Sequence, residues 1–276
     1  TYKKLEKLDL SETQKLILSK SLKSFTDSGI NLSKEIQEEF NEISTKLSEL
    51  SNQFNINTVD SVNDWSLLIT EKNELAGLPD SLLEVFSEFA EEKNEKGYML
   101  KILQPYCMES LKHLKNRDLR EKLYNASTTV ASEFLNDGAY DNGDILREIV
   151  ILKNKKAKLA GYKDFVDYSL SNKMANSLEE VQDLLYSLKD KSREQGFTDI
   201  QLLKDFAKEK DQIEDFSSWD FKYYEELYKQ EKLNIDSQKI REYFPMSKVK
   251  SGFFWLIQEL YGLEIKKDSL NNLYSE

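Results

Sequence analysis

Glycine, proline and cysteine are scarce in this sequence, and their scarcity already limits the fold. The 276 residues include nine glycines and three prolines, about 4% of the chain where roughly 12% is usual. Sheets joined by tight turns need these residues at the turns, so a mostly helical, all-α protein is predicted. The single cysteine, Cys107, cannot form an internal disulfide, and a chain of this length can fold without one. This cysteine usage fits a reducing, cytoplasmic location.

Long apolar runs and an excess of positive charge are also missing. No apolar run approaches the roughly 20 residues that span a bilayer, and the mean hydropathy is −0.63. The first ten residues lack the apolar core of a secretory signal. Fifty acidic against 39 basic residues give a formal net charge of −11, which repels phosphate backbones and anionic lipid headgroups. We therefore expect no nucleic-acid partner and no membrane partner.

What the sequence does contain is a clear helical periodicity after Ser33. Apolar residues recur there in alternating steps of four and three, the spacing of one helix face. Three heptads without regular flanking charges indicate a helix packed in an antiparallel pair rather than a free coiled coil. The predicted buried stripe consists of Ile36, Phe40, Ile43, Leu47, Leu50 and Phe54.

Two short runs are typical of β-strands, and they frame one predicted helix. Residues 65–70 (WSLLIT) precede the break at Gly77 and Pro79, and residues 98–103 (YMLKIL) end before Pro105. The two runs are expected to pair. The predicted fold class is therefore all-α with one small β-strand pair.

Helix ends are marked by capping residues, glycines and a proline. A serine followed three residues later by Glu or Gln predicts a capping-box start. Gly161 and Gly196 lie where left-handed helix terminators are expected, and Pro245 marks a further element boundary. The predicted capping boxes are Ser11 with Gln14, Ser81 with Glu84, and Ser177 with Glu180.

The most loop-like stretch, residues 136–144 (NDGAYDNGD), combines two glycines with short polar side chains. Calcium loops use these ingredients, but aligning either glycine with the invariant glycine of an EF-hand places Leu135 or Tyr140 at a position that requires a carboxylate. A connector and helix cap is the interpretation that remains.

Residues able to carry catalysis or bind metal are few. A helical H-E-x-x-H zinc motif needs two histidines four residues apart, and His113 is the only histidine. Cys107 lies six residues before it, but no third orienting residue is marked by spacing, so a buried inert thiol and a solvated or packing histidine are favoured. The adjacent pairs at 179–180 and 225–226 (EE) point about 100° apart on a helix and are interpreted as solvated faces. No catalytic, cofactor-binding or metal-binding residue is predicted in this chain.

Nine stretches nevertheless follow a recognisable order. They are residues 46–54 (KLSELSNQF), 65–70 (WSLLIT), 74–79 (ELAGLP), 116–121 (NRDLRE), 145–162 (ILREIVILKNKKAKLAGY), 170–175 (LSNKMA), 219–224 (WDFKYY), 241–245 (REYFP) and 260–263 (LYGL). In this order and spacing, from near Leu10 to near Ile265, the sequence resembles the oligopeptidase A and thimet oligopeptidase family of zinc metallopeptidases.

The resemblance implies a zincin-type, largely helical body around a narrow channel that admits short peptides and excludes folded proteins. It also implies a zinc ion held by H-E-x-x-H and a downstream glutamate, in a region that would lie beyond Glu276. Residues 1–276 are then expected to be one helical section of such an enzyme, with no internal boundary, forming part of the substrate-channel wall. The first residue, Thr1 rather than methionine, fits an interior section.

Cofactor, partners and location follow from the same resemblance. Zinc is implied in the full-length parent and none in this chain. The implied partners are short peptides and the missing catalytic lobe of the same protein, and the implied location is the cytoplasm. The alternative is a free-standing acidic helical interaction protein with the scaffold but not the chemistry; an H-E-x-x-H sequence in the reading frame after Glu276 would favour the enzyme, and a stop codon the alternative.

The last helix predicted is residues 247–261, which carries more apolar side chains than one buried stripe needs. Such a helix requires neighbours on more than one side. If they are missing, we expect an exposed patch larger than the few hundred Å² typical of monomers, and self-association through it. The apolar residues are Val249, Phe253, Phe254, Trp255, Leu256, Ile257 and Leu260.

Overall fold

The computed structural model describes residues 10–266, apart from the side chains of Ser237 and Gln238. The first nine residues, where no export signal is predicted, lie outside this range. The described residues form eleven α-helices and one two-stranded antiparallel sheet, so the predicted fold class is confirmed. In chain order the elements are α1 Glu12–Asp27, α2 Lys34–Asp64, β1 Leu67–Ile69, α3 Asp80–Glu92, β2 Tyr98–Leu100, α4 Tyr106–His113, α5 Arg117–Thr128, α6 Gly143–Leu159, α7 Phe165–Leu170, α8 Leu178–Asp211, α9 Ser218–Lys232, α10 Ser237–Glu242 and α11 Met246–Tyr261.

The chain divides into two compact units at Tyr224, within α9. The first unit contains α1 to α8, both strands and the first turns of α9. The second contains the rest of α9 together with α10 and α11. In the second unit α11 begins after Pro245, as predicted, and none of its residues is buried.

The sheet lies where the two β-prone runs predict it. Leu67 pairs with Leu100, and Ile69 pairs with Tyr98. The strands are only three residues long, and α3 packs against β2. Together with α4 and α5 they enclose the main hydrophobic core. Fully buried members of this core include Leu75, Phe86, Leu100, Cys107, Leu114 and Leu123.

A glycine lets two segments of this core approach each other. Gly77 has φ +98°, and a Cβ added there would lie 2.1 Å from the carbonyl oxygen of His113. No side chain could be accommodated at that distance. The close approach allows the N–H of Lys115 to donate to the carbonyl oxygen of Ala76 at 2.9 Å, which holds the end of α4 beside the turn before α3.

The long helix α2 packs against α6, as the periodicity predicts. Phe40, Ile43 and Leu50 of the stripe are buried, and Leu47 and Phe54 are half-buried. The expectation that the whole stripe is buried is wrong at Ile36, which is 39% exposed. It lies in the first turn of the helix, before the residues that α6 covers.

Polar contacts join the far end of α2 to the loop before α6. The buried Asn142 donates from its side chain to the Phe54 carbonyl oxygen at 3.1 Å and accepts from Asn57 Nδ2 at 2.9 Å. Ser61 Oγ, fully buried, accepts from the backbone N–H of Ala131 at 3.0 Å. The loop of residues 136–144 is therefore a connector, as predicted, and its last asparagine holds it against α2.

One predicted helix start is wrong. Ser11 caps α1 with a complete capping box, and Ser177 caps α8. Ser81, by contrast, lies inside α3, which begins at Asp80 after Pro79. The carbonyl oxygen of Pro79 already accepts from the N–H groups of residues 82 and 83, so the helix has begun before a cap at position 81 could act.

The two predicted glycine terminators behave differently. Gly161 has φ +88° and follows the end of α6, as predicted. Gly196 lies inside α8, so its predicted role as a terminator is wrong. A glycine in a helix costs only about 1 kcal/mol, and a side-chain bond from Gln195 to Asp199, 2.7 Å long, spans this turn.

Candidate functional site

The single cysteine and the single histidine both lie on α4. Cys107 is 1% exposed, and burial raises the pKa of its thiol to about 11 despite a hydrogen bond with Ser127. The thiol is therefore protonated and inaccessible at neutral pH, as a buried inert cysteine should be. The side chain of His113 is 9% exposed, and its Nε2 lies 3.5 Å from Glu109 Oε2. The geometry supports the packing interpretation of both residues.

The acidic residues give no metal centre in the described part of the chain. Within residues 10–266, no group of three or more His, Cys, Asp and Glu side chains lies close enough to hold a metal ion. Over the same range, no helix has the length and apolar content to cross a membrane.

The interpretation of residues 225–226 as solvated is wrong for Glu226, which is 5% exposed and accepts from Gln230 Nε2 at 3.1 Å.

A concave feature in the first unit is a cavity of about 520 Å³. One wall comes from α4 and α5, which contribute Met108, Leu111 and Tyr124. The opposite wall comes from α8, through Ile200 and Lys204. Helices α4 and α5 belong to the main hydrophobic core, so this side of the cavity is part of the most completely buried region of the unit.

The third wall of the cavity is the first turn of α9 and the residues just before it. Phe216, Trp219 and Phe221 line it, together with Lys222. The Trp219 and Tyr124 rings are tilted against each other, with centroids 6.3 Å apart. The cavity is consequently rich in aromatic and aliphatic surface, which is usual for sites that bind small ligands.

A buried ionic cluster lies beside this wall and fixes its position. The Asp220 carboxylate is fully buried and accepts from Arg117 Nη2 at 2.8 Å, from Arg120 Nη2 at 2.9 Å and from the Ser217 N–H at 3.0 Å. Burial alone would raise the pKa of Asp220, but the hydrogen bonds from Arg117, Ser217 and Arg120 hold that pKa below its ordinary value. The carboxylate is therefore ionised and links α5 to the start of α9.

Arg120 has further partners that make the cluster rigid. This side chain is 1% exposed, and its Nη1 donates to the carbonyl oxygens of Leu114 and Lys115 at 2.9 and 3.0 Å. Its guanidinium also lies over the Tyr223 ring, 4.1 Å from the centroid. A buried charge with this many partners is costly to leave unpaired, so the cluster resists movement of the wall.

A second buried carboxylate, that of Asp27, joins other segments of the first unit. Asp27, 6% exposed, accepts from Tyr162 OH at 2.6 Å, Ser171 Oγ at 3.1 Å and Asn172 Nδ2 at 2.9 Å. Tyr168 OH donates to the Asp27 carbonyl oxygen at 3.0 Å. These bonds join the end of α1 to α7 and the residues that follow it, so 170–175 (LSNKMA) has a structural role here.

The sequence analysis did not predict that the residues of either carboxylate cluster would meet. The stretches 116–121 and 219–224 are family-like segments, but nothing in the sequence pairs Asp220 with arginines about 100 residues earlier. The available signal was the i, i+3 spacing of Arg117 and Arg120, which places two guanidinium groups on one helix face. Where such a pair is buried, it requires a partner of opposite charge.

Comparison with known proteins identifies the family to which the chain belongs. Residues 110–276 match the peptidase family M3. Oligopeptidase A of Salmonella typhimurium is 37% identical over 94% of this chain, and oligopeptidase A of Escherichia coli is 36% identical over 94%. The chain belongs to peptidase family M3. The resemblance to the oligopeptidase A and thimet oligopeptidase family is thus confirmed.

The M3 relationship extends beyond bacteria but covers only part of each relative. A probable cytosolic oligopeptidase A of Arabidopsis thaliana is 33% identical over 93% of the chain. The aligned region makes up 38% of each of the two bacterial proteins and 37% of the plant protein. The chain therefore spans little more than a third of the length of these curated M3 relatives.

Proposed function

We propose that this M3 chain is the helical section of a zinc metallo-oligopeptidase that degrades short peptides, and that it forms part of the wall of the substrate channel. The observation that carries the proposal is the 37% identity to oligopeptidase A over 94% of the chain. Because that alignment covers 38% of the relative, the activity is proposed for the whole protein.

The described residues would contribute shape rather than reacting groups. In such enzymes zinc polarises the scissile carbonyl of the substrate and lowers the pKa of a bound water. No set of residues within 10–266 fits a zinc ion, so the ion would be held elsewhere in the whole protein. A rigid wall positions a peptide and limits its length, and positioning of this kind lowers the barrier to attack.

Rigidity of the proposed wall comes from the two carboxylate clusters. Asp220 fixes the start of α9 against α5, and Asp27 fixes the end of α1 against the segments on either side of α7. Both carboxylates are buried and accept at least three hydrogen bonds. We propose a cytoplasmic location and short peptides as substrates on the same ground, the kinship with oligopeptidase A.

The test begins with the gene. The reading frame that encodes this chain should continue beyond Glu276 into an H-E-x-x-H sequence. The full-length product should cleave a quenched fluorescent octapeptide, lose that activity to a chelator and regain it with zinc, and leave a folded protein substrate intact. Cleavage of the folded protein at a comparable rate would contradict a narrow channel.

The matched control is the present chain on its own. It should bind no stoichiometric zinc and cleave no peptide, because a second histidine at ligand spacing is missing from the sequence. Elemental analysis after dialysis measures this directly. About one tightly bound zinc per chain would overturn the prediction and point to a site around Cys107 and His113.

A second candidate function is a free-standing acidic helical interaction protein. The observation that favours it is α11, where Phe253 and Trp255 are 55% and 62% exposed. A stop codon directly after Glu276, with a folded product that binds a partner through α11 and has no peptidase activity, would select this alternative.

A further inference from the structure

The cavity between α4, α5, α8 and the start of α9 has features that a plain channel wall does not require. Its lining combines four aromatic side chains with several hydroxyl groups. We propose that it binds the side chain of a tryptophan or tyrosine residue in a short peptide, an aromatic ring that carries its own hydrogen-bond donor. That the ring comes from a peptide rests on the proposed function. The match between such a ring and the cavity does not.

The volume of the cavity suits an aromatic side chain together with the backbone that carries it. At about 520 Å³ it falls within the roughly 300–1,000 Å³ of ligand sites. An apolar cavity of about 150 Å³ holds one benzene ring, so an indole or phenol ring fills only part of the space. The remainder has room for the peptide units on either side of the residue that bears the ring.

The walls favour a ring over an aliphatic chain. The Tyr124 and Trp219 rings are tilted by 59° with centroids 6.3 Å apart, and Phe216 lines the same cavity. The Nε1 atom of Trp219 is buried, so this indole presents carbon atoms rather than its N–H group to the open space. Aromatic rings attract one another in edge-to-face and offset arrangements beyond what burial of their area supplies. A ring in the cavity can form such contacts, and a leucine side chain cannot.

The hydroxyl groups of the lining favour a ring that can donate a hydrogen bond. Thr128 Oγ1 donates to the Tyr124 carbonyl oxygen at 2.9 Å, and Ser217 Oγ donates to the Asp215 carbonyl oxygen at 3.0 Å. A hydroxyl group has one proton and two lone pairs, so an oxygen whose proton is engaged can still accept. The indole N–H and the phenol O–H are donors. A phenylalanine ring, which has no donor, would leave these acceptors unused.

The charges around the cavity are mixed and do not select an ion. Lys222 lies over the Phe221 ring, 5.4 Å from its centroid, and has a further interaction within the chain. Lys204 also borders a polar groove of about 320 Å³ whose lining includes three carboxylates. These carboxylates belong to Asp205, Glu214 and Asp215. Because both signs of charge lie close together, their fields oppose each other at the cavity, and a neutral ring is the ligand that they admit.

The cavity is held open before a ligand arrives. The Asp220 cluster fixes the wall that carries Trp219, and Arg117 lies 6.0 Å from the Trp219 ring centroid. The opposite side, Tyr124 and Leu111, belongs to or packs against the main core. A preformed site loses little conformational entropy when it binds, so a ligand as small as one blocked amino acid can be retained.

The experiment titrates this chain with neutral blocked amino acids in a calorimeter. The main probe is N-acetyl-tryptophanamide, and we expect one molecule bound per chain. Its ring-N-methyl derivative should bind about fivefold more weakly because the donor is lost, and N-acetyl-leucinamide about fivefold more weakly because the ring contacts are lost. Free 3-methylindole, which lacks the backbone, should also bind more weakly. Added salt should change the affinity for the neutral probe by less than about twofold.

Variants of the chain locate the binding site. Ile200→Trp should fill the cavity from its α8 wall and weaken binding at least tenfold. Leu202→Trp is the matched control, because Leu202 is 41% exposed against 39% for Ile200 and does not line the cavity; it should leave the affinity within about twofold. Thr128→Val with Ser217→Ala should weaken the main probe to the level of its N-methyl derivative and leave the derivative unchanged, because both changes remove the same bond. Circular dichroism checks that each variant is folded.

Several outcomes would overturn the inference. Absence of saturable binding at about 10 mM probe, equal affinity for the leucine and tryptophan probes, or equal losses in Ile200→Trp and Leu202→Trp would each refute it. Tighter binding of 3-methylindole than of the blocked amino acid would make this a site for a free aromatic compound rather than a peptide. Binding is measured without catalysis, so an inactive full-length protein would refute the proposed function and leave this measurement standing, while an active protein whose cavity binds no ring would do the reverse.

Discussion

Two helices of this chain that are rich in apolar residues, α3 and α11, are buried very differently. Helix α3 buries Leu82, Leu83, Phe86 and Ala90 against the sheet and α4. Helix α11 has an apolar side chain at about every second position, and none of its residues is buried. Phe86 is 0% exposed, while Phe253 is 55% exposed. Apolar content therefore indicates that a helix needs neighbours, but the neighbours themselves decide whether it is stabilised.

The largest loss of stability is expected from truncating Phe86, the buried member of the pair Phe86 and Phe253. Phe86→Ala should lower the free energy of unfolding by about 3–5 kcal/mol, because it removes buried surface and leaves a cavity. Phe253→Ala, the matched change on α11, should lower it by less than about 1 kcal/mol. Urea unfolding followed by circular dichroism measures both. Similar losses would mean that α11 is buried in solution.

The same contrast between buried and exposed positions can be drawn with carboxylates. Asp220→Asn removes the charge that faces Arg117 and Arg120, and it should cost about 3 kcal/mol, since a buried charge is left uncompensated. Asp215→Asn is the control, because the Asp215 side chain is 76% exposed and such pairs contribute about 0–1 kcal/mol. A loss in Asp220→Asn no greater than in the control would show that the cluster does not hold the wall of the cavity.

Lowering the pH should remove the contribution of the Asp220 carboxylate to stability gradually. The folded-state pKa of Asp220 lies below its ordinary value of 3.8, so its contribution to stability is present above that value and is lost as pH falls through the folded-state pKa. The original chain should consequently lose more stability than Asp220→Asn as the pH falls below about 4. Unfolding curves at several pH values test this. Parallel pH profiles for the two proteins would contradict it.

The smallest effect concerns association through α11. With Trp255 and Leu260 62% and 65% exposed, the chain should self-associate weakly, at high micromolar concentration or above, through a patch that includes this helix. Sedimentation across a concentration series measures it, and Trp255→Lys should shift the chain toward monomer. A strict monomer that binds no hydrophobic dye would contradict the prediction and show that the helix is covered within the chain.

Local sequence rules predicted elements wherever one residue pattern decides the outcome. The two strands formed within the runs at 65–70 and 98–103, three residues in each, because β-prone residues bounded by breaks have few local alternatives. Ser11 and Ser177 began helices, because a side-chain cap satisfies a backbone donor within three residues. The same rules failed at Ser81 and Gly196, where Pro79 or the continuing helix provided a different solution.

The candidate site was beyond such rules. Its parts come from α4, α5, α8 and α9, and Asp220 meets arginines about 100 residues away in sequence. One sequence also cannot distinguish Glu226, which is buried, from Glu225, which has the same charge and the neighbouring position. The difference depends on which face of α9 meets other residues, and periodicity alone leaves that open.

By itself the sequence determined a mostly helical M3 chain with one strand pair and a single inert thiol. The helices and the strand pair follow from composition and local periodicity, the inert thiol follows from the burial expected of a lone cysteine, and the family follows from the resemblance of nine ordered stretches. Only the tertiary structure decided that Asp220 and Asp27 each join segments distant in sequence, that a cavity with two lysines lies between four helices, and that α3 is covered while α11 is not. The reason is physical: burial and charge pairing are properties of several segments at once, and their free energies depend on distances that no single stretch of sequence contains.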